Sequence, residues 1–216
     1  MNLLIEISKA VSLGLLLLLP LANPLTTVAL FIGLTGKFTN TQRQWVSIRT
    51  SIYVFMIMII TFYAGQAIMD AFGISLPGLR IAGGMIVMFI GFRMLFPSGG
   101  DSKLDSSDPE PNPNDIAFIP LAMPSTAGPG TIAMIISSVS TIQANDQGFS
   151  MLALKIAPIL TFLIISIIIF IGLRSSGWVI RVIGKSGIDA VSRLMGFLLV
   201  CMGTQFIING YLEIIS

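Results

Sequence analysis

The sequence predicts an all-α integral membrane protein of six transmembrane helices, arranged as two inverted three-helix repeats with broken first and fourth helices. Three observations predict this fold class: an apolar composition, apolar segments of membrane-spanning length, and two motif matches between the halves. Of the 216 residues, 54% are hydrophobic and only 10% are charged, whereas soluble domains carry about 25% charged residues. The mean hydropathy of +0.92 is likewise typical of a membrane protein.

Six apolar segments are long enough to cross a bilayer, whose hydrocarbon core of about 30 Å takes about 20 helical residues. They cover residues 3–35, 51–69, 74–96, 116–142, 151–172 and 188–212. The first segment is too long for one straight span and contains Pro20 and the pair Asn23-Pro24. Because proline lacks an N–H and clashes with the preceding turn, we expect the first helix to break there. Prolines and glycines also interrupt the fourth segment, so we expect a second break.

Residues 97–115 interrupt the apolar pattern between the third and fourth spans. They are rich in acidic residues, prolines, serines and glycines, a composition that predicts a flexible polar linker. The linker therefore divides the chain into a first three-helix repeat, residues 1–96, and a second three-helix repeat, residues 116–216.

Two sequence matches support the repeat, and they occur in the same order in the two halves. Residues 20–24 read PLANP and residues 120–124 read PLAMP, while an arginine followed by spaced glycines begins at both Arg80 and Arg193. Because each half holds an odd number of spans, the second half is inverted relative to the first, as in many secondary transporters.

The distribution of lysine and arginine predicts which side of the membrane each loop faces, since basic residues accumulate in cytoplasmic loops. Nine basic residues lie in or beside the loops that join spans 1 and 2, 3 and 4, and 5 and 6: Lys37, Arg43, Arg49, Arg93, Lys103, Arg174, Arg181, Lys185 and Arg193. Three lie on the other side: Lys9, Arg80 and Lys155. We therefore expect both termini outside the cytoplasm and the acidic linker inside it.

The two proline-containing breaks form the predicted binding site. Asn23 can cap a new half-helix that begins at Pro24, with Thr26 and Thr27 in its first turn. The second break offers the same chemistry, with Ser125 or Thr126 as the cap. It also contains Gly128, Pro129, Gly130 and Thr131. If inverted symmetry brings the breaks together at mid-membrane, two positive helix ends favour an anion or a carboxylate between them. The alternative is that both breaks are kinks in packed helices.

Arg80 and Arg193 are further candidate site residues, at matching positions of the repeats. Too few residues separate Arg80 from Arg93 to span the hydrocarbon core, so we expect Arg80 within the membrane boundary. Its role there would be recognition of a carboxylate or gating. The alternatives are snorkelling to lipid phosphate or an ion pair with Asp70 and, for Arg193, an ion pair with Asp189 one turn away.

Other small and polar residues within the spans are open to structural interpretations. Five glycines on the third and sixth spans predict close helix packing: Gly83, Gly84, Gly91, Gly196 and Gly203. Gln66, Gln205 and Asn209 either line a cavity or join helices. The single cysteine, Cys201, lies in an apolar run, which predicts a buried structural thiol.

The sequence predicts no catalytic residue, cofactor or metal site. It contains no histidine, which removes the commonest general base and the commonest metal ligand. No carboxylate falls in the middle of a span to relay protons. We therefore expect no enzyme, and the net charge of only +2 argues against nucleic-acid binding. The expected partners are the lipid bilayer and a small-molecule substrate, and the oligomeric state stays open.

Four segments of the chain resemble the MarC family. They read LPLANPLTTVALF at residues 19–31, FGISLPGLRIAGG at 72–84, PLAMPSTAGPGTI at 120–132 and SRLMGFLLVCMG at 192–203. The resemblance covers essentially the whole chain and implies a six-helix, multi-pass protein of the bacterial inner membrane, which makes the expected position of both termini periplasmic. The family is grouped with LysE-type exporters, and some relatives are described as neutral amino-acid transporters.

Together these observations favour a secondary transporter or facilitator of small polar metabolites, and the resemblance suggests neutral amino acids and export. The alternative is a membrane scaffold or regulatory protein that transports nothing. The paired breaks favour transport, because a scaffold has no need of two unwound segments. The sequence names neither the substrate nor the direction of transport, and it leaves the coupling ion open.

Overall fold

The structure, a computed structural model, describes residues 3–96, 113–144 and 150–215, and every regular element in these ranges is a helix. The elements are α1 (Leu3–Ala22), α2 (Pro24–Leu34), α3 (Asn40–Ala71), α4 (Leu76–Leu95), α5 (Pro113–Ile116), a π-helical segment (Ala117–Thr126), α6 (Pro129–Ala144), α7 (Met151–Arg174) and α8 (Ser176–Ile215). The predicted all-α class is confirmed for the residues that these ranges cover.

Five helical stretches are long and apolar enough to cross a membrane. They are α1 together with α2, then α3, α4, α7 and the part of α8 from Asp189 onward. The predicted fourth span is divided instead, because a break separates the π-helical segment from α6, whose apolar part Pro129–Val139 is too short to cross alone. Five of the six predicted spans thus have a spanning helix, and the arrangement of the fourth stays a prediction.

Most of the predicted acidic linker, residues 97–112, lies outside the described residues. Its last residues, from Pro113 onward, begin the one-turn helix α5, which leads directly into the π-helical segment. At the other end of the second half, α8 begins well before the predicted sixth span, and its chain direction changes at Gly184, where φ is 70°.

Polar side chains cap several helix starts, where backbone N–H groups lack partners within the helix. Thr39 and Gln42 form a capping box at the start of α3, and Ser75 caps α4. Ser150 caps α7, and its own backbone N–H donates to Oε2 of Glu6 at 3.0 Å. The Glu6 carboxylate therefore joins the first turn of α1 to the first turn of α7.

α4 and α8 pack antiparallel along a seam of glycines with a seven-residue spacing on both helices. A Cβ on Gly84 would lie 2.6 Å from the carbonyl oxygen of Gly203, and a Cβ on Gly91 would lie 2.6 Å from that of Gly196. The seam continues to Gly210, where a Cβ would lie 2.9 Å from the carbonyl oxygen of Pro77. The predicted packing role of the glycines is confirmed, since any side chain here would separate the two backbones.

Several other helix contacts come in matched pairs when α1, α2, α3 and α4 are compared, in order, with the π-helical segment, α6, α7 and α8. α3 packs against its counterpart α7, just as α4 packs against α8. α1 packs against α7 as the π-helical segment packs against α3, and α2 packs against α8 as α6 packs against α4. In the centre, Oγ of Ser166 on α7 donates to the carbonyl oxygen of Ser51 on α3 at 2.6 Å.

The expected burial of Cys201 is wrong, because the cysteine is exposed on the outer surface of α8. An apolar run does not distinguish a residue inside the bundle from one that faces lipid, since both environments are apolar. Leu198 and Phe197 of the same run are exposed as well.

Candidate functional site

The first break lies at Asn23, between α1 and α2. Asn23 has φ 36° and ψ 70°, a left-handed conformation that asparagine tolerates better than most residues with a Cβ. Its Oδ1 accepts from the backbone N–H of Thr26 at 3.3 Å, and Pro24 follows as the first helical residue. Asn23 thus caps α2 as the sequence predicts. Pro24 suits the first helical position, because the N–H that proline lacks would have no partner there.

The second break lies between the π-helical segment and α6. The backbone of Ile119 and Met123 is extended rather than helical, so the segment is irregular before it ends. α6 begins at Pro129, and the backbone N–H of Ile132 donates to the carbonyl oxygen of Gly128 at 3.0 Å. The residue before the helix is therefore Gly128.

The expectation that Ser125 or Thr126 caps this half-helix is consequently wrong, because both residues lie before Gly128, the residue that precedes the helix. Proline is favoured at the first helical position, and α6 starts at Pro129, three residues after Thr126. The Thr126 hydroxyl instead donates to the carbonyl oxygen of Leu121 at 3.0 Å, and Thr131 Oγ1 donates to the carbonyl oxygen of Thr126 at 3.0 Å. The side chains of Pro124 and Ser125 lie outside the described part of the chain.

The two breaks meet through their threonines. Oγ1 of Thr27, in the first turn of α2, lies 3.0 Å from Oγ1 of Thr126. Thr27 Oγ1 also lies 3.3 Å from the carbonyl oxygen of Asn23. Each hydroxyl carries one proton, so one threonine donates to the other while its partner donates to a backbone carbonyl of its own break. The hydroxyl pair therefore links the two unwound segments directly.

The junction of the two breaks is enclosed by protein. Thr27 and Thr126 are fully buried, Thr131 and Asn23 are buried as well, and Nδ2 of Asn23 lies 3.6 Å from Sδ of Met94. Apolar residues of α2 and the second break are buried in the same core: Val28, Phe31, Leu121, Ala122 and Ala127. Burial of this kind is what a bilayer requires, because unwound backbone survives at membrane depth only where protein or water covers it.

A cavity of about 560 Å³ lies on one side of the junction, between α1, α3, α4, α6, α7 and α8. Its polar lining consists of Arg80, Ser137, Ser138, Thr161, Gln205 and Asn209, and the rest is apolar. The sequence singled out Arg80, Gln205 and Asn209, but it missed Ser137, Ser138 and Thr161. The sequence pattern that could have indicated these three residues is a hydroxyl side chain inside an apolar span. Such hydroxyls are common, so the pattern is weak evidence for a cavity.

Arg80 is held at the edge of this cavity by two side chains from other helices. Its Nε donates to Oγ of Ser137 at 2.9 Å, and its Nη1 lies 2.6 Å from Oε2 of Glu213. The alternative of an ion pair with Asp70 is therefore wrong, and Asp70 instead accepts from Gln66 Nε2 at 3.1 Å. No local sequence pattern indicated Glu213 as the partner of Arg80, because the two residues lie 133 positions apart.

Arg193, which the sequence matched to Arg80, is exposed on α8 and does not line this cavity. The alternative of an ion pair between Arg193 and Asp189 is also wrong, since these two described residues form no salt bridge. A spacing of four residues permits such a pair on a helix surface but does not enforce it.

A second cavity, of about 360 Å³, lies at the opposite end of the bundle. It is lined by two arginines, Arg43 and Arg174, by the aromatic residues Phe31 and Trp178, and by several hydroxyl and amide side chains. The Arg43 guanidinium lies 5.5 Å from the centre of the Phe31 ring, within the range of a cation–π contact. Among the described residues that line the two cavities, none is acidic.

Comparison with known proteins gives the family of the chain. The chain matches the sequence model described as "MarC family integral membrane protein" over residues 8–215. It is 58% identical, over 99% of both chains, to the inner membrane protein MarC of Escherichia coli strain K12 and to that of Shigella flexneri. The chain belongs to the MarC family. No solved structure matches it.

Membership of the MarC family confirms the resemblance that the four sequence segments predicted. The protein is therefore a multi-pass protein of the inner membrane, as both the names of its relatives and its apolar helices indicate. The names of these MarC relatives state a location and no substrate.

Proposed function

We propose that the protein is a secondary transporter or facilitator that carries small polar metabolites, namely neutral amino acids, across the inner membrane as an exporter. The site we propose lies between the N-termini of α2 and α6, at the junction of the two breaks. The observation that supports this proposal is the hydroxyl contact between Thr27 and Thr126, which joins the two breaks.

The order of residues along the helices supports a route through the junction. On the first span, Leu18 lines the larger cavity and Phe31 lines the smaller one, and the break at Asn23 lies between them. On α7, Pro158 lines the larger cavity and Leu173 the smaller one. The cavities therefore approach the junction from opposite ends, as an occluded state of an alternating-access transporter requires.

The packing of α4 against α8 supports the inverted repeat that alternating access uses. Gly84 pairs with Gly203 while Gly91 pairs with Gly196, and the second pair is the first with the two helices exchanged. A two-fold axis between two helices produces this reciprocal pairing. We therefore propose residues 1–96 and 116–216 as repeats related by an axis in the membrane plane, with residues 97–115 as the cytoplasmic linker.

The chemistry of the junction suits the carboxylate of an amino acid. α2 and α6 both begin there, and helix N-termini favour negative charge. Thr26, Thr27, Thr126 and Thr131 add hydroxyl groups, and Asn23 adds an amide. In this proposal the contact between the two threonines opens to admit the substrate and closes again behind it.

Flux through purified protein tests the proposal. We expect proteoliposomes that contain the full chain to exchange a labelled neutral amino acid, such as alanine or leucine, faster than protein-free liposomes of the same lipid. A panel of the neutral amino acids, loaded inside or added outside, also reports the direction. If folded protein moves none of them, the transporter proposal is rejected and the scaffold alternative is favoured.

The orientation is a separate prediction. We propose that both termini face the periplasm, because nine of the twelve lysines and arginines lie in or beside the loops of the opposite side. A reporter enzyme that is active only in the periplasm should therefore be active when fused after Ser216. Activity of a reporter that works only in the cytoplasm at the same position would contradict this topology.

A further inference from the structure

We propose that the larger cavity is a binding site for a small carboxylate with an apolar body, and that Glu213 is the counter-ion which this carboxylate displaces from Arg80. The inference goes beyond the proposed function, because it assigns the larger cavity a carboxylate site of its own, distinct from the junction of the breaks. It rests on the position of Arg80 rather than on the junction of the breaks.

The lining of the cavity fits one charged group and an apolar remainder. Arg80 is its cationic residue, and its guanidinium can hold a carboxylate through two parallel N–H donors. Apolar side chains from five helices, among them Leu17, Phe62, Phe162 and Phe206, make up most of the wall. A volume of about 560 Å³ lies within the range of small-molecule pockets.

The helix dipoles of α4 and α8 do not stabilise the ion pair between Arg80 and Glu213. Arg80 lies near the N-terminus of α4, and Glu213 lies in the last turn of α8. A cation near a helix N-terminus and an anion near a C-terminus are each unfavourable with the helix dipole. A ligand carboxylate can therefore take the place of Glu213 beside Arg80 without loss of helix stability.

The exposure of the two side chains indicates which partner moves. The Arg80 side chain is 15% exposed and donates to Ser137, whereas the Glu213 side chain is 35% exposed and lies in the last turn of α8. Arg80 is therefore the fixed element of the site. Glu213 can swing away to solvent when a ligand arrives.

Binding of two matched probes to the detergent-solubilised full chain tests the inference. The probes are 4-methylpentanoate and its uncharged amide, measured by titration calorimetry against empty micelles at a pH where the acid is ionised. We expect the acid to bind at least about tenfold more tightly than the amide, because a hydrogen bond to a charged group is stronger than one to a neutral group.

Three variants then separate recognition from structure. Arg80→Gln should weaken binding of the acid by about tenfold or more, and Glu213→Gln should strengthen it severalfold, because the competing carboxylate is gone. Lys155→Gln is the matched control, since this exposed lysine lies on the cavity helix α7 without lining the cavity, and it should leave the affinity unchanged.

Equal affinities for acid and amide would overturn the inference. Loss of acid binding in the Glu213→Gln variant would overturn it as well. Both measurements remain decisive if Arg80→Gln fails to fold. The inference and the proposed function also fail separately. The expected binding pattern without amino-acid flux supports the carboxylate site and rejects transport, whereas flux with equal binding of acid and amide rejects the site and leaves transport standing.

Discussion

Gly84→Leu should destabilise the folded protein by about 3 kcal/mol or more, at the upper end of what added bulk in a packed interior costs. A Cβ at position 84 would lie 2.6 Å from the carbonyl oxygen of Gly203 and 2.9 Å from Cγ1 of Ile207. The obstacle is backbone, which cannot rotate away as a side chain can. The α4–α8 seam must therefore separate, and the loss should be visible in the thermal unfolding of purified protein in detergent.

Gly33→Leu is the matched control for this prediction. Gly33 is an exposed helical glycine of α2, and a Cβ there would meet nothing within 4 Å. The substitution should be neutral or slightly stabilising, because leucine has a higher helix propensity than glycine. A Gly84→Leu variant that unfolds within about 1 °C of the Gly33→Leu variant would show that the two helices are not held at the distance described here.

The sequence predicted those features that depend on local chemistry. The break at Asn23-Pro24 follows from the missing N–H of proline, and the capping role of Asn23 follows from its short amide. The packing of Gly84 against α8 was predictable for a similar reason, since only small residues let membrane helices approach closely. Each of these inferences needs only a few neighbouring residues.

Other features depend on the tertiary structure and could not be predicted from local pattern. The partner of Arg80 is Glu213 on another helix, whereas Asp70 was merely the nearest acid in the sequence. The exposure of Cys201 was equally hidden, because lipid-facing and buried residues are both apolar.

Two substitutions at Asn23 should separate the backbone of the first break from its amide. Asn23→Gly keeps the left-handed conformation at φ 36°, which glycine adopts freely, and removes only the side chain. We expect it to reduce amino-acid flux in proteoliposomes by about tenfold or more, since a hydrogen bond to a charged group is worth about 1.5–3 kcal/mol. Its stability should fall by only a few tenths of a kcal/mol, because glycine is itself an acceptable cap.

Asn23→Ala should reduce flux as much as Asn23→Gly does, and it should lower stability more. Alanine forfeits the bond to the Thr26 N–H, which costs about 1 kcal/mol. Unlike glycine, it also keeps a Cβ in the left-handed region, which costs about 1–2 kcal/mol. The comparison is informative because the two variants share the missing amide and differ in backbone strain. Equal flux with unequal stability would therefore assign the transport defect to the amide.

Thr39→Gly is the matched control for the loss of a helix cap. Thr39 caps α3 through a capping box, is exposed, and lines neither of the two cavities. Its substitution should lower stability about as much as Asn23→Gly while flux stays at the wild-type rate. If Asn23→Gly also transports at the wild-type rate, the amide only terminates a packed kink, and the substrate site must be sought away from the junction of the breaks.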